Sequence, residues 1–231
     1  MNKRVLRTVF LDTVPVLTGY LFLGIGFGIL LKESGYGLAY AFATGAFIYA
    51  GSAQYLLVSL LSSGASLLST ALAVLLVNAR HLFYGISLVD TYKYAGKTKP
   101  YLIFALTDET YSLVTQNRAP EGMSRLTYCF LVSALNHGYW ITGCVLGSIV
   151  GTLLPINYSG ISFVLTALFV TMFVEQWLST QNHRPALIGV GCTLLCLLLF
   201  GKDLFLIPSM IMIALLLTVS RKTGKRREQD G

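Results

Sequence analysis

Charge is what this chain has least of. Only 12% of its 231 residues are Asp, Glu, Lys or Arg, about half the share of a soluble globular domain. Between Ser34 and Ala79 there is no charged residue in 46 positions, and between Leu126 and Val174 none in 49. That absence excludes a water-soluble fold, since too few polar groups remain to cover its surface. A hydrocarbon core about 30 Å thick takes about 20 helical residues per crossing, so each stretch holds about two spans. The short alternating segments of a membrane barrel are missing too. The apolar residues, 55% of the chain, come in continuous runs, and backbone groups in lipid must be satisfied within the segment. The expected fold is therefore an all-α polytopic integral membrane protein of roughly six to eight helices.

Other absences narrow the function. There is no Walker phosphate loop, no paired metal-ligand motif on a helix and no Ser nucleophile elbow. Neither ATP, a cofactor, a metal nor enzymatic catalysis is expected. Cys129, Cys144, Cys192 and Cys196 lie inside apolar segments, where a thiol acts as a small packing residue. Cys192 and Cys196 share a helix face, but no His or carboxylate stands at ligand spacing beside them. Lys3, Arg4 and Arg7 before an apolar run imitate a signal peptide, yet Asp12 and Pro15 interrupt the run and no small-x-small site precedes Lys32. A retained first helix is expected. The net charge of +7 does not point to nucleic acid, because five of the seventeen basic residues form the tail Arg221, Lys222, Lys225, Arg226, Arg227. That tail, residues 221–231, reads as a cytoplasmic anchor beside the lipid bilayer.

What is present is a series of apolar helices expected near 10–31, 38–61, 65–89, 100–117, 126–153, 159–179, 185–200 and 204–219. Their short connections imply a single transmembrane domain, 1–231. A shift of 122 residues places Thr44, Phe47, Gln54 and Leu56 on Thr166, Phe169, Gln176 and Leu178. The same shift places Leu72, Leu75, Leu76, Leu82, Phe83 and Ser87 on Leu194, Leu197, Leu198, Leu204, Phe205 and Ser209. This suggests two structural repeats, about 10–89 and 126–219, with aligned breaks at Asn78-Ala79-Arg80-His81 and Gly201-Lys202-Asp203. Transporters built from repeats bind substrate near such broken helices. Topology is under tension. Eight full spans put both basic termini in the cytoplasm but leave Lys93, Lys97 and Lys99 outside. A re-entrant pair of half-helices near 65–89, or a different crossing of 185–219, would alter the count.

An ionisable residue at membrane depth is costly and is a functional candidate by default. Arg80 and His81 interrupt the apolar run from Leu75 to Gly85, directly after Asn78. For Arg80, snorkelling or a structural ion pair competes with a working role. Asp108 and Glu109 follow the apolar segment Tyr101 to Leu106. Each could bind a proton or an ammonium group, pair with Arg80, or mark an ordinary helix end. Gln54 is an amide deep in an uncharged run, after the small residues Gly51, Ser52 and Ala53, and suits inter-helix hydrogen bonding or a ligand contact. Asn136 stands with His137, Tyr139 and Trp140. Asn136 is the site candidate there, and Trp140 reads as an interfacial aromatic. Gly24, Gly26 and Gly28 favour close helix packing over an unwound binding segment.

Three pieces taken in order, Ala50-Gly51-Ser52-Ala53-Gln54, Val77-Asn78-Ala79-Arg80-His81-Leu82-Phe83-Tyr84-Gly85 and Thr107-Asp108-Glu109-Thr110-Tyr111, resemble the AzlC family of bacterial branched-chain amino-acid exporters. The similarity runs from about residue 10 to 219. The resemblance implies the large subunit of an exporter in the bacterial inner membrane, working with a small, separately encoded, hydrophobic AzlD-type subunit. The implied task is export of valine, leucine, isoleucine and sometimes methionine. With that resemblance, Gln54, Asn78, Arg80 and Asp108 are expected around a central cavity. Arg80 would meet the substrate carboxylate, and Asp108 its ammonium group or a coupling proton. His81, Glu109 and Asn136 complete the candidate set. Three rivals remain: a passive channel, an intramembrane enzyme using His81 or His137 with Asp108, and a purely structural role for the ions.

Overall fold

The computed structural model describes residues 3–116, 118–153, 163–179, 181, 183–205, 208–209, 211–213 and 215–217. Among these residues there is no strand. The helices are α1 (Lys3–Glu33), α2 (Leu38–Phe47), α3 (Gly51–Ser62), α4 (Leu67–Asn78), α5 (Arg80–Ser87), α6 (Val89–Tyr92), α7 (Lys99–Phe104), α8 (Asp108–Thr115), α9 (Arg125–Leu153), α10 (Phe163–Ser179) and α11 (Arg184–Leu204). The chain divides into two compact units, the first ending at Leu168 and the second beginning at Phe169. The basic tail 221–231 lies outside the described residues.

The spine of the first unit is the α1–α9 pair. Both helices are long and apolar enough to cross a membrane. They run parallel and in close contact because glycines face each other: a Cβ on Gly24 would lie 2.9 Å from the Cα of Gly143, and one on Gly28 or Gly147 would overlap the facing backbone at Cys144 or Ile25. Gly24 and Gly28, and Gly143, Gly147 and Gly151, are spaced four apart, the small-xxx-small pattern that lets helices approach in lipid. Gly24 and Gly28 therefore serve packing.

Three expected helices are each broken in two. The run 38–61 enters as α2, antiparallel to α9: Gly45 lies over Ile141 and Cys144, and Tyr49 reaches His137, ring to ring at 4.3 Å. The chain then reverses. Tyr49 takes φ 45, a left-handed conformation that costs a non-glycine residue roughly 1–2 kcal/mol. Then α3 runs back along α1, with the Tyr55 hydroxyl donating to the Leu23 carbonyl at 2.7 Å and its ring against Phe27 at 5.6 Å. The pair α2–α3 is a helical hairpin that enters and leaves at the carboxy-terminal end of the spine.

The run 100–117 forms a second hairpin from the opposite end. Leu102 and Val114, from its two arms, both pack into the cluster that holds Val9 of α1 and Tyr128, Cys129 and Val132 of α9. Its tip, Ala105, instead joins the other cluster, with Tyr20, Tyr49 and Trp140. Between the hairpins, α4 and α5 are together long and apolar enough for one crossing and are bent by 44° near Ala79. This crossing leads to Leu88, Tyr92 and Ala95, which pack with Val9 at the amino-terminal end. The break expected within 65–89 is present, at Ala79, and two further breaks divide 38–61 and 100–117. The segments 38–62 and 99–115 are the two helical hairpins.

Phe22, Leu67 and Phe83 are largely exposed, a surface that suits lipid. In the second unit α11 contains a non-helical residue, Gly201 (φ 72, ψ 178), Cys192 and Cys196 are buried, and Trp177 stacks on His183 at 4.1 Å.

Candidate functional site

The two hairpin tips and the bend of α4–α5 meet halfway along the spine. At each interruption a half-helix begins, so the amino-terminal ends of α3, α5 and α8 gather in one place with their unsatisfied N–H groups and positive dipole ends. At the first tip the Gln54 amide oxygen accepts from the Ala50 N–H at 3.2 Å and from the Trp140 indole N–H at 2.8 Å. This side chain replaces helical hydrogen bonds lost at the turn and ties the tip to α9. No side chain caps α3. Gly51 lies under the indole, where a Cβ would come within 3.0 Å of the ring. At the second tip Thr107 is extended and its hydroxyl caps α8 by accepting from the Thr110 N–H, the usual job of Thr at an N-cap.

Arg80 opens α5 and joins both tips. Its Nη1 lies 2.7 Å from Asp108 Oδ2, and its Nη2 donates to the Ser52 hydroxyl at 3.2 Å. The two ionic side chains are 31% and 29% exposed, so the pair is neither sealed in protein nor open on a surface, and it remains reachable by a small polar solute.

Glu109 points elsewhere. Its Oε2 accepts from the Tyr20 hydroxyl of α1 at 2.7 Å, and that hydroxyl is also 2.6 Å from Thr107 Oγ1. Thr107 donates to Thr110 Oγ1, which also accepts from Asn136 Nδ2 at 3.0 Å. Several enclosed polar atoms around the junction have no hydrogen-bond partner: Gln54 Nε2, Asp108 Oδ1, Asn136 Oδ1, Tyr49 OH and Asn78 Oδ1. Unpaired donors and acceptors are expensive to bury, and their concentration here marks a place built to receive a polar group.

Of the residues expected at a site, Arg80 and Asp108 are in direct contact. Gln54 shares a helix with Ser52, which touches Arg80, and Asn136 reaches the second tip through Thr110. The contacts of Asn78 and His81 are local: His81 Nδ1 lies 3.0 Å from the Asn78 carbonyl, with its ring 5.8 Å from that of Tyr84. His137 meets the Tyr101 hydroxyl at 3.2 Å and stacks near Tyr49. Neither histidine hydrogen bonds Asp108, the pairing an acid–base enzyme would use. Trp140, expected at an interface, is instead 3% exposed in the core, because its indole N–H is satisfied by Gln54. Tyr20, Tyr49, Thr107 and Thr110 were not singled out. Thr107 carried a signal, a Thr just before an acidic first turn; Tyr20 is one of thirteen tyrosines and carried none.

Comparison with known proteins identifies the family. The family model described as AzlC protein matches residues 15–154. The branched-chain amino acid transport protein AzlC of Bacillus subtilis is 39% identical over 99% of this chain and 92% of its own length. An uncharacterized membrane protein of Helicobacter pylori is 40% identical over 94% of this chain and 95% of its own. The inner membrane protein YgaZ of Escherichia coli is 27% identical over 87% and 82%. No solved structure matches.

Proposed function

Because the chain belongs to the AzlC family, we propose that it is a secondary transporter exporting valine, leucine, isoleucine and related apolar amino acids across the bacterial inner membrane. In this reading it is driven by an ion gradient and works with a small AzlD-type subunit. The observation that carries the reading is the Arg80–Asp108 pair at the meeting of three half-helices. A zwitterionic amino acid presents the same two charges. Entering between the partners, it gives its carboxylate to the forked guanidinium and its ammonium group to Asp108, so no charge is left unpaired. The uncapped amino terminus of α3 and Gln54 Nε2 offer further donors to the carboxylate. Without substrate, the two side chains neutralise each other.

The opposed hairpins support alternating access, since each tip stands between the junction and one end of the spine. Orientation follows from charge. Lys3, Arg4, Arg7, Lys93, Lys97, Lys99, Arg118 and Arg125 belong to segments at the amino-terminal end, whereas Lys32 is at the other end of α1. We assign the amino-terminal end, and with it the chain's amino terminus, to the cytoplasm, and read the basic tail as cytoplasmic from its own charge. We also read the chain as one transmembrane domain of two repeats. The interruptions at Ala79 and Gly201 are 122 residues apart, the same offset as the sequence match.

The test is export of radiolabelled amino acids from cells expressing the chain with and without an adjacent small membrane subunit. Valine, leucine and isoleucine should leave faster when both are present. Membrane-inserted Arg80→Ala and Asp108→Asn proteins that export valine at the parent rate would sink the assignment of the pair.

A further inference from the structure

We propose that Glu109 is the proton-carrying residue of this transporter, separate from the Arg80–Asp108 pair that receives the substrate. The inference rests on the transport reading above and adds to it the identity of the coupling ion and of its site.

Asp108 and Glu109 are adjacent in the first turn of α8, and successive helical residues point about 100° apart. Asp108 therefore turns to α5 and its arginine, and Glu109 turns to α1. The two carboxyl groups have different company. Asp108 has a guanidinium at 2.7 Å. Among the described residues no Lys, Arg or His comes within ion-pair distance of Glu109, whose carboxyl is partly enclosed and held by a neutral phenol. A carboxylate in a low-dielectric site without a countercharge is costly, and taking up a proton removes that cost.

The groups facing Glu109 come from every neighbouring element: Tyr20 on α1, Tyr49 at the first hairpin tip, Asp108 and Thr107 at its own tip, and Tyr84 on α5. Arg80 pairs with Asp108, on the other side of that tip. From α9, Asn136 reaches the same tip through Thr110, while His137 faces Tyr49 and Tyr101.

The arrangement also says how an added proton is felt. The Tyr20 hydroxyl has one proton and two acceptors in reach, Glu109 Oε2 and Thr107 Oγ1. With Glu109 ionised, Tyr20 donates to it. When Glu109 takes a proton from water, its new O–H donates to the Tyr20 oxygen and the Tyr20 proton turns to Thr107. Thr107, which accepts from Tyr20 in that state, donates in turn to Thr110 Oγ1. Thr107 caps α8, the helix that presents Asp108, so the protonation state of Glu109 is transmitted to the tip that holds one half of the substrate site.

The experiment uses the full chain with its small partner subunit in proteoliposomes and valine as probe. Two modes are measured: valine/valine exchange, which moves no net proton, and valine accumulation driven by a pH gradient. Glu109→Gln is expected to keep exchange and lose gradient-driven accumulation. Tyr20→Phe is expected to keep both and shift the pH at which accumulation is half-maximal. Accumulation by Glu109→Gln at the parent level overturns the proposal. Loss of exchange along with accumulation overturns it too, since Glu109 would then serve substrate binding or folding. An unshifted pH profile in Tyr20→Phe overturns the role of the phenol. A parent complex that exchanges no apolar amino acid would refute the transport reading instead.

Discussion

The indole N–H of Trp140 donates to the amide oxygen of Gln54 at 2.8 Å, across 86 residues of sequence, and both side chains are buried. This bond holds the tip of the α2–α3 hairpin against α9, while the same oxygen also accepts from the backbone at Ala50. Gln54→Leu leaves two buried donors unsatisfied. A lost buried partner costs about 1–3 kcal/mol each, so this variant should melt at lower temperature in detergent than Trp140→Phe, which removes the indole donor but leaves Gln54 held by Ala50. Thermal unfolding by intrinsic or dye fluorescence checks the order, and equal shifts would mean that the Gln54 oxygen is not the shared anchor.

Contact between α1 and α9 depends on the absence of side chains at Gly28 and Gly147. A Cβ at either position would overlap backbone rather than a mobile side-chain end, so Gly28→Leu or Gly147→Val should push the helices apart and strongly reduce folded protein. Overpacking typically costs about 1–3 kcal/mol and more where backbone is struck. Gly19, with open space around its Cβ position, is the control: Gly19→Ala should express as the parent does. Size-exclusion profiles of the three variants decide it, and a monodisperse Gly28→Leu protein at parent yield would contradict the packing.

How much of this was visible in the sequence varies from break to break. The bend at Ala79 was legible because Arg80 puts an ion inside an apolar run. The reversal at Tyr49 was not. Residues 38–61 carry no charge and no proline, and the turn is made by a tyrosine forced into a left-handed conformation by long-range contacts with His137 and Tyr20. Asp108 and Glu109 were legible as exceptional ions, but an acidic pair after an apolar segment reads equally as a helix ending in water. In the structure it begins a helix, with Thr107 as the cap. Pairing Glu109 with Tyr20 required the tertiary fold, since nothing local distinguishes that tyrosine.

Two changes that keep the net charge of the Arg80–Asp108 pair are both expected to lower export. Arg80→Lys keeps the charge but loses the fork that reaches Asp108 and Ser52 together, so export of valine should fall while the protein still inserts. Exchanging the partners, Arg80→Asp with Asp108→Arg, restores charge balance but fixes a carboxylate at the amino terminus of α5, where it occupies the positive dipole end that would otherwise help hold the substrate carboxylate. Export should therefore stay low in the exchanged protein. Recovery of parent export would identify the pair as a structural tie and not a substrate site. Whole-cell efflux of labelled valine, normalised to membrane-inserted protein, reads both variants.

The opposed hairpins also predict which loops face which side. Eight uninterrupted spans would put Lys97 outside and Gly64 inside; two re-entrant hairpins with a single bent crossing between them reverse both. The four native cysteines are buried and free, so they give little background to a thiol reagent, and both positions are exposed in the fold. A membrane-impermeant maleimide added to intact spheroplasts should label Gly64→Cys and spare Lys97→Cys. On inside-out vesicles the pattern should invert. Labelling of both cysteines from the outside would mean that 65–89 does not cross the membrane; labelling of Lys97→Cys alone would mean that 38–62 does, which would remove the hairpin and with it the meeting of half-helices on which the site depends.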